Sequence, residues 1–197
     1  VEPGVTIAVD ADKIILVGSD GAIQVQGTAS EPVTFQATES VAASWGGIVI
    51  SNNNAANSIQ HTIIDHAGAV NIDYYVTYGV PFPVEAGLAI NGRCAVSDVL
   101  VKGSGNVGIF VGQPANLTQF TNITVNNSSG YPLVMPTKLV KSIQTGNNFS
   151  GNSPNKVYVW GEYIDEGMHV WNHAGIPYLL SNDLNINAAS LHITQGT

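Results

Sequence analysis

Three stretches of this chain superimpose at a fixed offset of 24 residues. Val96, Val101 and Ile109 fall above Phe120, Val125 and Leu133, and Phe149 and Val157 follow another 24 residues on. A repeat of that length is one structural unit that cannot bury its own apolar face, so successive units must stack. The period therefore predicts a solenoid. A solenoid is a scaffold that unrelated activities can share, so the period says little about function.

The repeat extends upstream with slips. The column Phe35, Ile64, Val101, Val125, Phe149 advances by 29, 37, 24 and 24 residues, and the column Ile48, Leu88, Ile109, Leu133, Val157 by 40, 21, 24 and 24. The two large steps share one cause, an insertion at about residues 69–86. The apolar runs between columns, such as Val99-Leu100-Val101, Ile123-Thr124-Val125 and Val157-Tyr158-Val159, are short, β-branched and bounded by Gly, Asn, Ser or Pro. That composition reads as strand. Lys102–Asn106 and Asn126–Gly130 occupy the same place in successive units, and Gly and Asn suit sharp corners.

The chain ends carry a shorter beat. Ile7, Ile15 and Ile23 are 8 apart, and Leu179, Ile186 and Ile193 are 7 apart. Three sides of this length make one turn, so the expected fold is an all-β, three-sided parallel coil with about 24 residues per rung. A left-handed coil of six-residue steps would repeat at about 18 and does not fit. One domain over residues 1–197 is expected, with a loop insertion at about 69–86 and a break at about 161–176, where the beat fades between Trp160 and Trp171.

Gly21-Ala-Ile-Gln-Val-Gln-Gly-Thr28, Pro32-Val-Thr-Phe35 and Ser44-Trp-Gly-Gly-Ile-Val-Ile50 resemble the opening of right-handed parallel β-helix domains in large bacterial and archaeal surface proteins. Asn147-Asn-Phe149 is similar to a turn of such repeats. The resemblance implies a right-handed coil. It leaves the role open, because that fold hosts adhesins, passenger domains, polysaccharide lyases and structural fibres.

Composition narrows the setting. Charged residues make up 10% of the 197, against about 25% in ordinary soluble domains. Gly, Asn, Ser and Thr do the solvating, which fits an extracellular or cell-surface solenoid. The net charge of −8 argues against nucleic acid and anionic membranes as partners. No apolar run is long enough for a membrane-spanning helix. The chain opens at Val1 without a basic-then-apolar leader, as expected of a processed protein or an excised fragment. Cys94 stands alone, so no intrachain disulfide is expected, and a buried structural thiol is.

Candidate chemistry is sparse. His61, Asp65 and His66 form one cluster, in which strand alternation puts His61 and Asp65 on one face and His66 on the other, and His169 and His173 form another. Two ligands from one segment are too few for a metal site, so both clusters read as solvated or hydrogen-bonded surface imidazoles. Asp65 and Asp98 fall out of register and should not stack. Asp10/Asp12 and Asp165/Glu166 read as solvated turns. Asn116, Asn122, Asn126, Asn127 and Asn148 match the glycosylation acceptor pattern, which turn chemistry also produces in an Asn-rich coil. No catalytic residue, metal or cofactor is assigned.

The insertion holds Tyr74, Tyr75, Tyr78 and Phe82. Aromatic side chains there can stack on a sugar or anchor a partner; alternatively the loop covers an apolar patch of the coil. At the ends, Val5 and Ile7 match Leu191 and Ile193 closely enough for one copy to run into the next. The sequence thus predicts a non-catalytic structural or adhesive module that meets copies of itself head to tail or neighbouring repeats of a longer chain. The alternative is a carbohydrate-binding or polysaccharide-cleaving coil that uses the Tyr-rich loop.

Overall fold

The computed structural model describes residues 1–38, 44–76 and 79–194. Among the described residues, fifteen strands run β1 (Thr6–Val9), β2 (Ile14–Val17), β3 (Gln24–Gln26), β4 (Val33–Ala37), β5 (Gly47–Ile50), β6 (Ser58–Asp65), β7 (Ala86–Ile90), β8 (Arg93–Lys102), β9 (Val107–Val111), β10 (Asn116–Asn126), β11 (Leu133–Pro136), β12 (Val157–Trp160), β13 (Tyr163–Trp171), β14 (Tyr178–Leu180) and β15 (Asn185–Ile193). They form a 6-stranded sheet, a 7-stranded sheet and a 2-stranded sheet. Every strand pairing is parallel.

The 7-stranded sheet runs β14-β12-β11-β9-β7-β5-β2. Its register places Ile15, Ile48, Leu88, Ile109, Leu133, Val157 and Tyr178 side by side. The 6-stranded sheet runs β1-β4-β6-β8-β10, with β3 on the first half of β6. There Ile7, Phe35, Ile64, Val101 and Val125 align, and a bridge between Thr124 and Asn148 carries the column to Phe149. Both columns anticipated from the period lie inside, in one continuous apolar core. Adjacent strands of such a stack sit about 4.8 Å apart, so each column is a close-packed ladder of branched side chains.

The insertion supplies a second apolar layer. Ile72, Val76, Val80 and Val84 cover the outer face of the 7-stranded sheet, burying Val49, Ala89, Phe110, Val134 and Tyr158. A 3₁₀ turn at Asp73–Tyr75 shapes this loop. Asp73 anchors it by accepting the Val84 N–H at 2.7 Å.

Within the segment at about 161–176, Tyr163–Trp171 is strand β13, which pairs with β15 from Tyr163↔Asn185 to Trp171↔Ile193 in the separate 2-stranded sheet. A 3₁₀ turn over Thr137–Ser142 precedes it, and β13 packs against that turn. Gly46 and Gly47 make room for the turns on either side: a Cβ on Gly46 would overlap the Ile14 side chain of β2. Gly47 has φ 107, and a Cβ there would overlap the Ala86 carbonyl.

Candidate functional site

The 6-stranded sheet is bent along a line of left-handed residues. His61 (φ 43), Asp98 (φ 56) and Asn122 (φ 53) interrupt β6, β8 and β10 at the same level. The pairs Gln60↔Ser97 and Thr62↔Val99 bracket His61 and Asp98, while Thr121↔Ser97 and Ile123↔Val99 bracket Asn122. Positive φ is costly for most side chains and tolerated best by Gly, Asn, Asp and His. The corner therefore selects short polar residues and stacks them at one strand spacing. Gly146 (φ 80) continues the line beyond Asn122.

The corner side chains form a connected group. Asn122 Nδ2 donates to Asp98 Oδ1 at 3.0 Å. The other oxygen, Oδ2, lies 4.0 Å from His61 Nε2, and both of these side chains are 35% exposed. They border a cavity of about 230 Å³. Ile63, Leu100, Thr124, Thr28 and Pro32 are among its lining residues.

A second group lies at the far end of the same strands. Asp65 Oδ1 meets His66 Nδ1 at 2.6 Å, and Asp65 Oδ2 meets Lys102 Nζ at 3.0 Å. Asp65 and Lys102 are paired across β6 and β8, so Asp65 and Asp98 do fall out of register. The Oδ2 contact with Lys102 makes Asp65 a link between β6 and β8, while its Oδ1 is buried beside the His66 ring without a hydrogen bond. Asp98 Oδ2, 4.0 Å from an imidazole on a side chain that is 35% exposed, can be reached from solvent. Among the described residues, no three His, Cys, Asp or Glu side chains converge as a metal site requires.

The remaining candidates are dispersed. Tyr75 and Phe82 pack into the layer beneath the insertion. Phe82 stands edge-on to Tyr158 with ring centroids 5.3 Å apart and stacks on Tyr131 at 6.1 Å. Tyr74 is 92% exposed and meets Tyr75 edge to face. Tyr78 lies outside the described residues. Val5 and Ile193 are exposed at opposite ends of the stack, and Ile7 and Leu191 are half-buried beside them. Residues 195–197 also lie outside the described residues.

His169 does not fit the surface reading. It is 1% exposed, and neither ring nitrogen has a protein partner. Cys94 is fully buried, and burial pushes its thiol up to about 12, so it is an inert apolar filler at neutral pH.

Sequence reasoning paired His61 with Asp65 and missed Asp98 and Asn122. The signal was available. His61, Asp98 and Asn122 are spaced 37 and 24 apart, the same steps as the core column Ile64, Val101, Val125 three residues later.

No curated protein and no solved structure matches the chain. Residues 1–80 match the family model described as a pectate-lyase like beta helix domain. The match includes β1–β6 and His61 but stops before Asp98 and Asn122, so it speaks for the scaffold and not for the corner group. The chain is a parallel β-helix repeat protein, similar over its first 80 residues to a pectate-lyase like β-helix domain.

Proposed function

We propose that the chain is a non-catalytic structural or adhesive β-helix module of an exported surface or fibre protein. In this reading it is a right-handed, three-sided coil whose stack continues at both ends. The observation that carries the proposal is the location of exposed apolar side chains. Val1, Val5 and Leu16 are exposed near the start of the stack, and Leu180, Ile186 and Ile193 near its end; among the described residues the other exposed large apolar side chains are Tyr163 and Met168 on the neighbouring strand β13 and Tyr74 on the loop. These turns also hold the outermost strands: β1, β2, β14 and β15 each pair with one strand among the described residues, whereas the outer edge of β3 is met by Val1, and edges of the first kind favour pairing with another strand. Adding a parallel turn at either end would cover both the apolar side chains and the edges. The turn comes from neighbouring repeats of a longer chain or from a second copy placed head to tail, and a non-closing contact of the latter kind builds a filament.

Low charge supports an extracellular setting. Sedimentation velocity and electron microscopy over a range of concentrations test the proposal. Rods that lengthen with concentration, or cooperative stabilisation when flanking repeats are fused to the ends, are expected. Monomers whose two end turns are as protected from hydrogen exchange as the middle would refute it.

The runner-up, carbohydrate binding by the Tyr-rich loop, draws support from the exposure of Tyr74. Tyr75 and Phe82 contribute less to it, since they are packed against the coil. Loss of glycan binding in a Tyr74→Ala, Tyr75→Ala variant would favour that reading.

A further inference from the structure

We propose that the cavity at the His61–Asp98–Asn122 corner binds a neutral, polyhydroxylated ligand, a sugar ring, at a place separate from the aromatic loop. This goes beyond the structural role and stands or falls independently of it. Three observations lead to this ligand class.

The first is the 4.0 Å gap between His61 Nε2 and Asp98 Oδ2. That is too long for a direct hydrogen bond and suits one oxygen placed between the two groups. A carboxylate only accepts, whereas an imidazole nitrogen accepts or donates according to its tautomer. A hydroxyl satisfies both, because it donates to the carboxylate and accepts from the ring.

The second is preorganisation. The Asn122 carboxamide fixes Asp98 through Oδ1, and the left-handed backbone at all three positions sets where their side chains leave the sheet. The Asp98–Asn122 pair therefore has less side-chain freedom to lose on binding.

The third is the composition of the walls. Ile63, Leu100 and Pro32 offer aliphatic contact to the C–H face of a ring, while Thr28 and Thr124 place hydroxyl-bearing side chains at the border. The cavity of about 230 Å³ is below the range of drug-sized pockets, so it matches a single ring. Other ligand classes fit less well. An anionic ligand would face Asp98 and a chain of net charge −8. A metal ion would lack a third His, Cys, Asp or Glu ligand among the described residues.

The test is an NMR titration of the whole chain with glucose, neutral β-glucan and chitin tetrasaccharides, and a galacturonate tetrasaccharide. At least one neutral probe is expected to shift the His61 ring, the Asn122 side-chain amide and the Leu100 methyls together, and to bind more tightly than the acidic one. Tighter binding of the tetrasaccharide than of glucose would identify a polymer as the source, and equal binding a free sugar; either supports the site. Asp98→Ala is expected to weaken binding about tenfold, as loss of one charge-assisted hydrogen bond should. Leu100→Glu, at a half-exposed position, gives the same answer should Asp98→Ala not fold. Tyr74→Ala should leave binding unchanged. The site is refuted if no neutral probe moves these signals at about 20 mM, or if binding survives both corner substitutions in a folded protein.

Discussion

The two large sheets share one interior but meet the outside differently. In the 7-stranded sheet, β5, β7, β9, β11 and β12 are buried at every position. Their inner side chains face the core and their outer ones lie under the insertion. In the 6-stranded sheet, β8 reads Arg93-Cys-Ala-Val-Ser-Asp-Val-Leu-Val-Lys102 and alternates between buried and half-buried. One sheet is therefore a middle layer and the other a wall open to solvent. Strands covered on both faces are apolar throughout, and strands covered on one face alternate. The difference also locates function, because a ligand can reach His61, Asp98 and Asn122 on the open sheet, whereas the outer face of the other is occupied by the chain's own loop.

The comparison breaks if the outer layer of the 7-stranded sheet is not real core. Phe110 belongs to that layer and is fully buried. Phe110→Ala should cost about 3–5 kcal/mol, and Leu133→Ala, on the inner face, about 2–5 kcal/mol. Leu100→Ala, on the open face, should cost well under either, about 1 kcal/mol or less. Chemical denaturation of the three variants decides. A Phe110→Ala cost as small as that of Leu100→Ala would mean that the insertion covers the sheet without packing on it.

Alkali sharpens the same contrast from inside. Burial pushes Cys94 from 9.0 to about 12 and Tyr178 from 10.0 to about 12. Both groups are neutral in the fold and ionise sooner in the unfolded chain. The unfolded state then holds fewer protons, so stability falls as pH rises from about 9 towards 12. Denaturation midpoints measured across that window should decline, and less steeply in Cys94→Ala. Alkylation of Cys94 at pH 8 should be negligible until denaturant is added. Rapid labelling of the native chain would show that β8 opens.

Much of this architecture was legible in the sequence. Both interior columns follow from the 24-residue step, because a parallel stack repeats its inward residues in register. The covering role of the insertion was one of two open readings, since Tyr and Phe serve burial and binding equally well. Asp98 and Asn122 were overlooked because the corner suspends the two-residue alternation of a strand. Gln60 and His61 both lie on the outer side, so counting alternate positions along β6 pairs His61 with Asp65, whereas the ligand-facing partner sits on the next turn. Buried His169 was invisible because no periodic apolar position announces an imidazole in the core.

The corner itself makes a smaller prediction. Asn122→Ala removes a side chain suited to positive φ and its hydrogen bond to Asp98, and should cost about 1–2 kcal/mol. Asn122→Gly keeps the backbone unstrained and should cost less than Asn122→Ala. The order matters more than the size. A Gly variant less stable than the Ala variant would mean that the bend is imposed by neighbouring turns and not by local conformation.

The smallest expected effect is that of Tyr74→Ala. This side chain is 92% exposed at the tip of the covering loop. Its edge-to-face contact with Tyr75, at 5.3 Å, is made largely in water, and Tyr75 is held independently by the layer beneath. Removing Tyr74 should change stability by no more than about 0.5 kcal/mol. That near-neutrality makes it a clean probe of the two outer faces. If glycan binding is detected and Tyr74→Ala abolishes it without altering the fold, the ligand sits on the covered sheet and the corner site is wrong. If binding survives Tyr74→Ala but is lost in Asp98→Ala, the open sheet is the functional one, and the aromatic loop is explained by the Phe110 layer it keeps dry.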